Sequence, residues 1–320
     1  MITASVQRPE LSAEIPADSA PVPGWLEAAL SYPREEGWLE SSGCPIHFFR
    51  WGDPTRPGVI LLHGFLAHAR CYAFIAPFLA NDYHVIAYDF SGMGDSGTRH
   101  AYPEELRLAE LLDVAEMTGM FEHAQKPALI AHSYGGGVGL AAMETHGNLF
   151  SGLVLCDVMT LRPEQLEQRF ENRGPPGSQD PERPNRIYAD YETAKGRFVL
   201  SPPQSVNEAC LFDYMAYHSL KQVEGGWSWK FDPSVFRRET DLGDKLTRQA
   251  KRIVDAPGRK SIVYGRESLL FDDDSAAYIR ECGGESIPMI GIPNAGHHLM
   301  LDEPIAFAST LNAILAQWGV

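Results

Sequence analysis

Ala131-His132-Ser133-Tyr134-Gly135 is the stretch that decides the fold. It follows an apolar run, Lys126-Pro-Ala-Leu-Ile130, which predicts a short buried strand. After it comes Gly135-Gly-Gly-Val-Gly-Leu-Ala-Ala142, whose small residues predict a close-packed helix. A serine on a sharp strand-to-helix turn is a nucleophile elbow. Such a turn strains the serine backbone and needs tiny neighbours, because strand and helix pass close together. Ala131 stands where the pattern commonly has glycine, a departure of one methyl group. A Ser-Gly turn before an ordinary helix reads the same way, so companion motifs must decide.

Bulk properties narrow the classes. The 320 residues suffice for one large α/β domain with an inserted subdomain, and a 44% hydrophobic content is ordinary for a globular core. Lys and Arg number 27 against 42 Asp and Glu, a net charge of −15 that repels phosphates. Nucleic acid and anionic membranes are therefore not expected partners. No run of eighteen apolar residues predicts a membrane span. Residues 1–24 lack the basic start and apolar core of a secretory signal and read as a flexible tail. The five cysteines are widely spaced and odd in number, which fits a reducing, cytoplasmic setting. Cys156, inside an apolar run, reads as core. No dinucleotide fingerprint or P-loop is present, and no cofactor is expected. A metal site is not expected either, since His297 and His298 are adjacent and no carboxylate shares a helix face with them at ligand spacing.

Short apolar runs alternate with helical patterns, as in a mostly parallel, doubly wound sheet. Strands are expected at Ile46–Trp51 (antiparallel), Gly58–Leu62, His84–Tyr88, the run before Ser133, Gly152–Cys156 (counted as the sixth), Ser261–Tyr264 and Ile287–Ile292. Helices are expected near Tyr72–Leu79, Glu104–Thr118 and Pro304–Gln317, with Asp272-Asp273-Asp274 opening another. Between about Met159 and Pro257 the strand-like runs vanish. Helical stretches at Glu164–Glu171 and Ser205–Gln222 flank an Arg173–Pro184 loop. We read 25–158 and 257–320 as the α/β core and 159–256 as a helical cap over the strands' C-terminal edge.

Three companions follow the expected order. His63-Gly64-Phe65 leaves the central strand, where Phe65 N–H, with Tyr134 N–H, can aim at a developing oxyanion. Asp89 to Ser96 forms a Gly-rich loop, read as structural. Gly296-His297-His298 through Pro304 follows the last strand and offers a base for the serine, His297 before His298.

Together these residues resemble the α/β-hydrolase superfamily, over a match from about Trp38 to the C-terminus. Gly225-Gly-Trp-Ser-Trp-Lys-Phe-Asp-Pro233 also resembles the end of a lid domain in many relatives. The resemblance implies an α/β-hydrolase fold, Ser133 as nucleophile and His297 as base. The family usually places its acid after the seventh strand, as an aspartate three residues past a glycine. Here Gly265 is followed at that spacing by Ser268, which cannot carry the charge. Two repairs are open. Glu267 lies one position off, and Asp157 ends the sixth strand 24 residues after Ser133, resembling haloalkane dehalogenases and some lactonases. A rigid strand end at the same sheet edge favours Asp157.

The expected activity is hydrolysis of a carboxylic ester or lactone of a hydrophobic small molecule through an acyl-enzyme. A C–C bond hydrolase acting on vinylogous diketones and a non-catalytic small-molecule receptor are the alternatives. Dehalogenase and epoxide hydrolase chemistry is disfavoured, because those families use an aspartate where Ser133 stands. Trp227, Tyr214 and Tyr217 are the substrate-contact candidates among the cap aromatics Phe212, Tyr214, Tyr217, Trp227, Trp229 and Phe231, which otherwise form the cap's own core.

Overall fold

The computed structural model describes residues 2–7, 14–16, 19–173, 183–237 and 242–320. Its strands are β1 (Thr3–Gln7), β2 (Arg34–Ser41), β3 (Cys44–Trp51), β4 (Gly58–Leu62), β5 (His84–Tyr88), β6 (Ala128–His132), β7 (Gly152–Cys156), β8 (Leu220–Val223), β9 (Gly226–Trp229), β10 (Lys260–Gly265) and β11 (Met289–Ile292). Every residue of β4, β5, β6 and β7 is buried. Continuous apolar runs of this kind fit strands covered on both faces, as parallel βαβ units require.

The main sheet has nine strands in the order β1-β2-β3-β5-β4-β6-β7-β10-β11. From β5 to β11 all neighbours are parallel, and β1, β2 and β3 close one edge antiparallel. Helices α1 (Gly24–Leu30), α2 (Glu104–Met117), α3 (Tyr134–His146), α4 (Ala209–His218), α5 (Asp273–Glu281) and α6 (Pro304–Trp318) accompany it. This is the α/β-hydrolase fold. Parallel strands all end at one edge, so the loops after β4, β6, β7, β10 and β11 meet there. Between β7 and β10 the chain leaves the sheet and builds the cap, which includes α4 and an antiparallel β8–β9 hairpin.

Four local expectations shift for stated reasons. The strand before Ser133 runs over Ala128–His132, after Pro127, which has no N–H to donate. The last strand starts at Met289, after Pro288. The Tyr72–Leu79 helix is a 3-10 turn at Ala69–Tyr72 and a short helix at Ala76–Leu79. Ser205–Gln222 is helical only over α4, because the chain then turns into β8 and reverses at Gly225, whose φ of 86° suits glycine. Most of the Arg173–Pro184 loop lies outside the described residues.

Among the described residues of 1–24, part of the expected loose tail is built into the fold. Thr3–Gln7 pairs antiparallel with Arg34–Trp38 as the edge strand. Composition missed this because strand addition rests on backbone hydrogen bonds to β2. Farther on, Glu14 is buried and accepts from Arg34 Nη2 at 2.6 Å and Arg70 Nη1 at 3.3 Å. Its carbonyl accepts from His218 Nε2 at 2.8 Å, tying the segment to α4. Among the described residues, no helix is long and apolar enough to cross a membrane. Replacing Glu14 by alanine leaves Arg34 without its carboxylate, while Arg70 keeps Glu36 at 3.1 Å, and a buried pair broken on one side costs about 3–5 kcal/mol. Urea unfolding of Glu14→Ala should show a loss of that order; wild-type stability would mean the segment contributes nothing.

Candidate functional site

Ser133 sits between β6 and α3 with φ 51° and ψ −117°, a conformation side-chain-bearing residues rarely adopt. Its N–H donates to Cys156 O at 2.9 Å, fastening the turn to β7. The glycines that follow are required by space. A Cβ on Gly135 would lie 2.7 Å from Leu62 O, and one on Gly136 would lie 2.4 Å from Val158 Cγ2. Ala131 is fully buried, so the extra methyl is absorbed into the core. Tyr134 is the first residue of α3, and its N–H therefore has no intrahelical acceptor.

The loop after β4 turns beside Ser133. Ala67 N–H donates to Gly64 O at 3.2 Å, and Leu66 takes φ 58°. His63 fixes this turn from within the core. Its Nδ1–H donates to Gly64 O at 2.8 Å and its Nε2 accepts from Phe90 N–H at 3.1 Å, which defines the neutral tautomer. Asp89 holds the far end, accepting from Ala69 N–H at 2.6 Å, Asp95 N–H at 2.8 Å and His47 Nδ1 at 2.8 Å. His47 lies between Asp89 and Glu36; burial opposes its charge, but hydrogen bonds to those carboxylates prevail and raise it to about 9. Asp89 thus supports the turn that presents Phe65.

His297 and Asp157 come together across the sheet edge. His297 Nδ1–H donates to Asp157 Oδ1 at 2.7 Å, and both side chains are buried, 3% and 0% exposed. Asp157 ends β7 at φ 49° and accepts twice more, from Gly265 N–H at 2.9 Å and Ser268 Oγ at 2.6 Å. Burial pushes its carboxyl up to about 7, against the lowering effect of these two donors. Ser268, in the slot where the family's acid usually stands, is a hydrogen-bond donor to Asp157. Glu267 is exposed and takes part through its backbone, donating to Ala295 O at 2.9 Å. The structure brings His297 to Asp157 and leaves Glu267 outside.

Ser133, His297, Phe65 and Tyr134 all line one cavity of about 580 Å³. Its wall includes Leu66 and Val158 from the core and Met159, Phe198, Leu200, Met215, Val235 and Phe236 from the 159–256 segment. Trp227, Tyr214 and Tyr217 do not line it. Tyr214 is fully buried edge-on to Phe74 at 5.8 Å, while Tyr217 and Trp227 pack on Tyr191 at 5.8 and 5.4 Å. Helix geometry explains the error. Met215 and Ser219, four apart at the end of α4, turn to the cavity, so Tyr214 and Tyr217 face elsewhere. Chain order alone gave no sign of which side of α4 that would be.

Sequence reasoning also missed a latch between cap and histidine loop. Gln204 accepts from His298 N–H at 3.0 Å and donates to Asp302 Oδ2 at 2.7 Å, which itself accepts Gly296 N–H at 2.7 Å. Ser133 on its strained turn and the buried His297 line the cavity, and His297 is hydrogen-bonded in turn to Asp157, which stands outside the lining.

With that geometry in place, relatives can be compared. The alpha/beta hydrolase family model matches residues 59–310, and the chain belongs to that family. A serine hydrolase-like protein of Danio rerio is 27% identical over 192 residues, which cover 57% of this chain and 57% of that one. The chain therefore spans little more than half the length of that relative. Among solved structures, a thioesterase domain from the curacin biosynthetic pathway aligns with a TM-score of 0.66 and 23% identity, covering 87% of this chain and 99% of its own. E-2-(acetamidomethylene)succinate hydrolase aligns with a TM-score of 0.70 and 16% identity, covering 88% and 98%. At these identities the structures show the fold.

Buried histidines give the molecule an acid limit. Desolvation lowers His63 and His84 to about 4 and His68 and His132 to about 3. Their folded values lie below the unfolded one, so the stability they allow is full above pH 6.5 and is lost as pH falls. Between pH 6.5 and 5 each loses about 2 kcal/mol, taking ~1.4 kcal/mol per unit. Asp157 and Asp302, raised by burial to about 7 and about 6, act in the opposite sense over that window. Four groups outweigh two. The thermal midpoint should fall by several degrees from pH 6.5 to 5; a level or rising midpoint contradicts the assignment.

Proposed function

We propose that this hydrolase is a serine esterase or lactonase acting on a hydrophobic small molecule through an acyl-enzyme. The observation that carries the reading is the buried His297–Asp157 hydrogen bond at the edge where Ser133 occupies its strained turn. Ser133 Oγ attacks the acyl carbon and His297 takes the hydroxyl proton. Asp157 keeps the imidazole in the Nδ1–H tautomer and offsets the imidazolium that forms. Phe65 and Tyr134 N–H groups hold the oxyanion. His297 then protonates the leaving alcohol and activates the water that clears the acyl group. The apolar lining of Leu66, Val158, Met215 and Phe236 supports an aliphatic or aromatic acyl portion. A serine nucleophile sets the reading apart from the aspartate-dependent members of the fold.

Short p-nitrophenyl esters and a lactone panel test turnover, and fluorophosphonate labelling tests the nucleophile. Labelling should vanish in Ser133→Ala; labelling that persists there sinks the assignment. The acid has its own series. Asp157→Asn should lower kcat by about 10⁴-fold. Adding Ser268→Asp to Asp157→Asn should recover about tenfold or more, because residue 268 already reaches position 157. Ser268→Ala removes a donor that favours the ionised carboxylate, so the acid limb of kcat/KM should move to higher pH. An unchanged limb, or full turnover in Asp157→Asn, would remove Asp157 from the mechanism.

A further inference from the structure

The sequence gives little reason to expect a metal at His297 and His298, because neighbouring residues on regular structure diverge. Folding changes the setting. Both precede the short helix that starts at Leu299, and β6 delivers a third imidazole, His132, from 165 residues away. We infer that His132, His297 and His298 form a binding site for a divalent transition-metal ion of the zinc class, and that the bound ion holds the enzyme inactive. The inhibition rests on the proposed role of His297 as base; the binding does not.

Three observations carry this. One ring nitrogen from each residue lies within 4.8 Å of the other two. The ring centres are 4.7, 4.9 and 5.9 Å apart. Imidazoles on one tetrahedral zinc, with Zn–N of about 2.0–2.1 Å, put their ring centres roughly 5 Å apart, so small side-chain adjustments suffice. The second observation is the outer partners. His297 Nδ1–H donates to Asp157, and His132 Nε2–H donates to His297 O at 2.8 Å. The carbonyls of Ser201 and Pro202 stand against the His298 ring as acceptors. Metal-binding histidines characteristically anchor their second nitrogen on a carboxylate or carbonyl, which aims the remaining lone pair.

The third observation is an unmet need. His298 Nε2 is buried without a hydrogen-bond partner among the described residues. A buried polar atom left unpaired costs about 1–3 kcal/mol, and such an atom in a ligand cavity calls for an occupant. His132, His297 and His298 all line the cavity that holds Ser133, which leaves a fourth position open to water or to the serine oxygen. Imidazole suits zinc, copper and nickel better than calcium or magnesium, which prefer oxygen. A metal on His297 takes the lone pair that would accept the serine proton.

Chelator-stripped protein titrated with zinc chloride in a non-coordinating buffer at neutral pH tests the proposal. It is done in a Cys282→Ser background, since the other four cysteines are buried. Calorimetry should show one equivalent bound in the micromolar range or tighter. Both His298→Ala and His298→Gln should weaken it by about tenfold or more, and the second guards against a packing defect in the first. Hydrolysis of p-nitrophenyl butyrate should fall with the same midpoint and return on adding a chelator. No binding at millimolar zinc, equal binding in both His298 variants, or full turnover with zinc bound overturns the proposal. Stoichiometric, His298-dependent binding in a protein that hydrolyses no ester would keep the site and remove the serine mechanism instead.

Discussion

A buried carboxylate held by hydrogen bonds, with no salt bridge to lysine or arginine among the described residues, is the constraint on which this site depends. Asp157 is fully enclosed at the end of β7, and Gly265 N–H, Ser268 Oγ and His297 Nδ1 are its three donors. Hydrogen bonds offset only part of the cost of burying its charge, as its raised pKa shows. The positive charge missing from the resting structure is the one a protonated His297 would supply. A carboxylate poised in this way stabilises an imidazolium more than a solvated one can, because low-dielectric surroundings strengthen the attraction. The same demand dictates local structure. Its backbone N–H donates to Val263 O, so the β7–β10 pairing that places Asp157 also places the Gly265 and Ser268 donors.

Two strained residues stand on adjacent strand ends. Ser133 and Asp157 both take positive φ, and each costs of order 1–3 kcal/mol unless its surroundings impose it. The surroundings do so here by packing from both sides. Parallel pairing of β6 with β7 keeps the two turns in register. Gly135 lets α3 press against the end of β4, and the neutral His63 joins that strand end to the loop after β5. Strain at the chemistry is therefore balanced by an over-determined core, and the rigid backbone rather than flexible side chains sets the geometry.

What was legible in the chain follows from this division. Ser133, Phe65 and His297 stand out in sequence because sharp turns demand particular neighbours within a few residues, and those neighbours can be read off. Asp157 was legible only as one of two candidates, since choosing it required knowing which of two loops reaches His297. Ser268 looked like a deficiency because its oxygen cannot be charged. Its use as a donor depends on a residue 111 positions away. The aromatic residues of the cap misled for the opposite reason. Size and hydrophobicity mark burial but not which surface they are buried against, and Tyr214 went into the core while Met215 met the cavity. The N-terminal strand was invisible because its evidence is its pairing with β2.

The latch at Gln204 joins the two halves of the site in a way neither shows alone. One side chain accepts from His298 N–H and donates to the carboxylate that holds Gly296 N–H, so it grips the loop carrying His297 on both flanks. It belongs to the segment whose preceding residues, Phe198 to Pro203, form part of the cavity wall. A substrate pressing on that wall therefore bears on the same stretch of chain that seats the histidine. In a rigid core that contact transmits directly, because close-packed groups shift together rather than deform independently. The cavity wall and the seating of His297 are thus joined through one side chain. That contact gives a reason for a polar glutamine to be placed beside this part of the pocket wall.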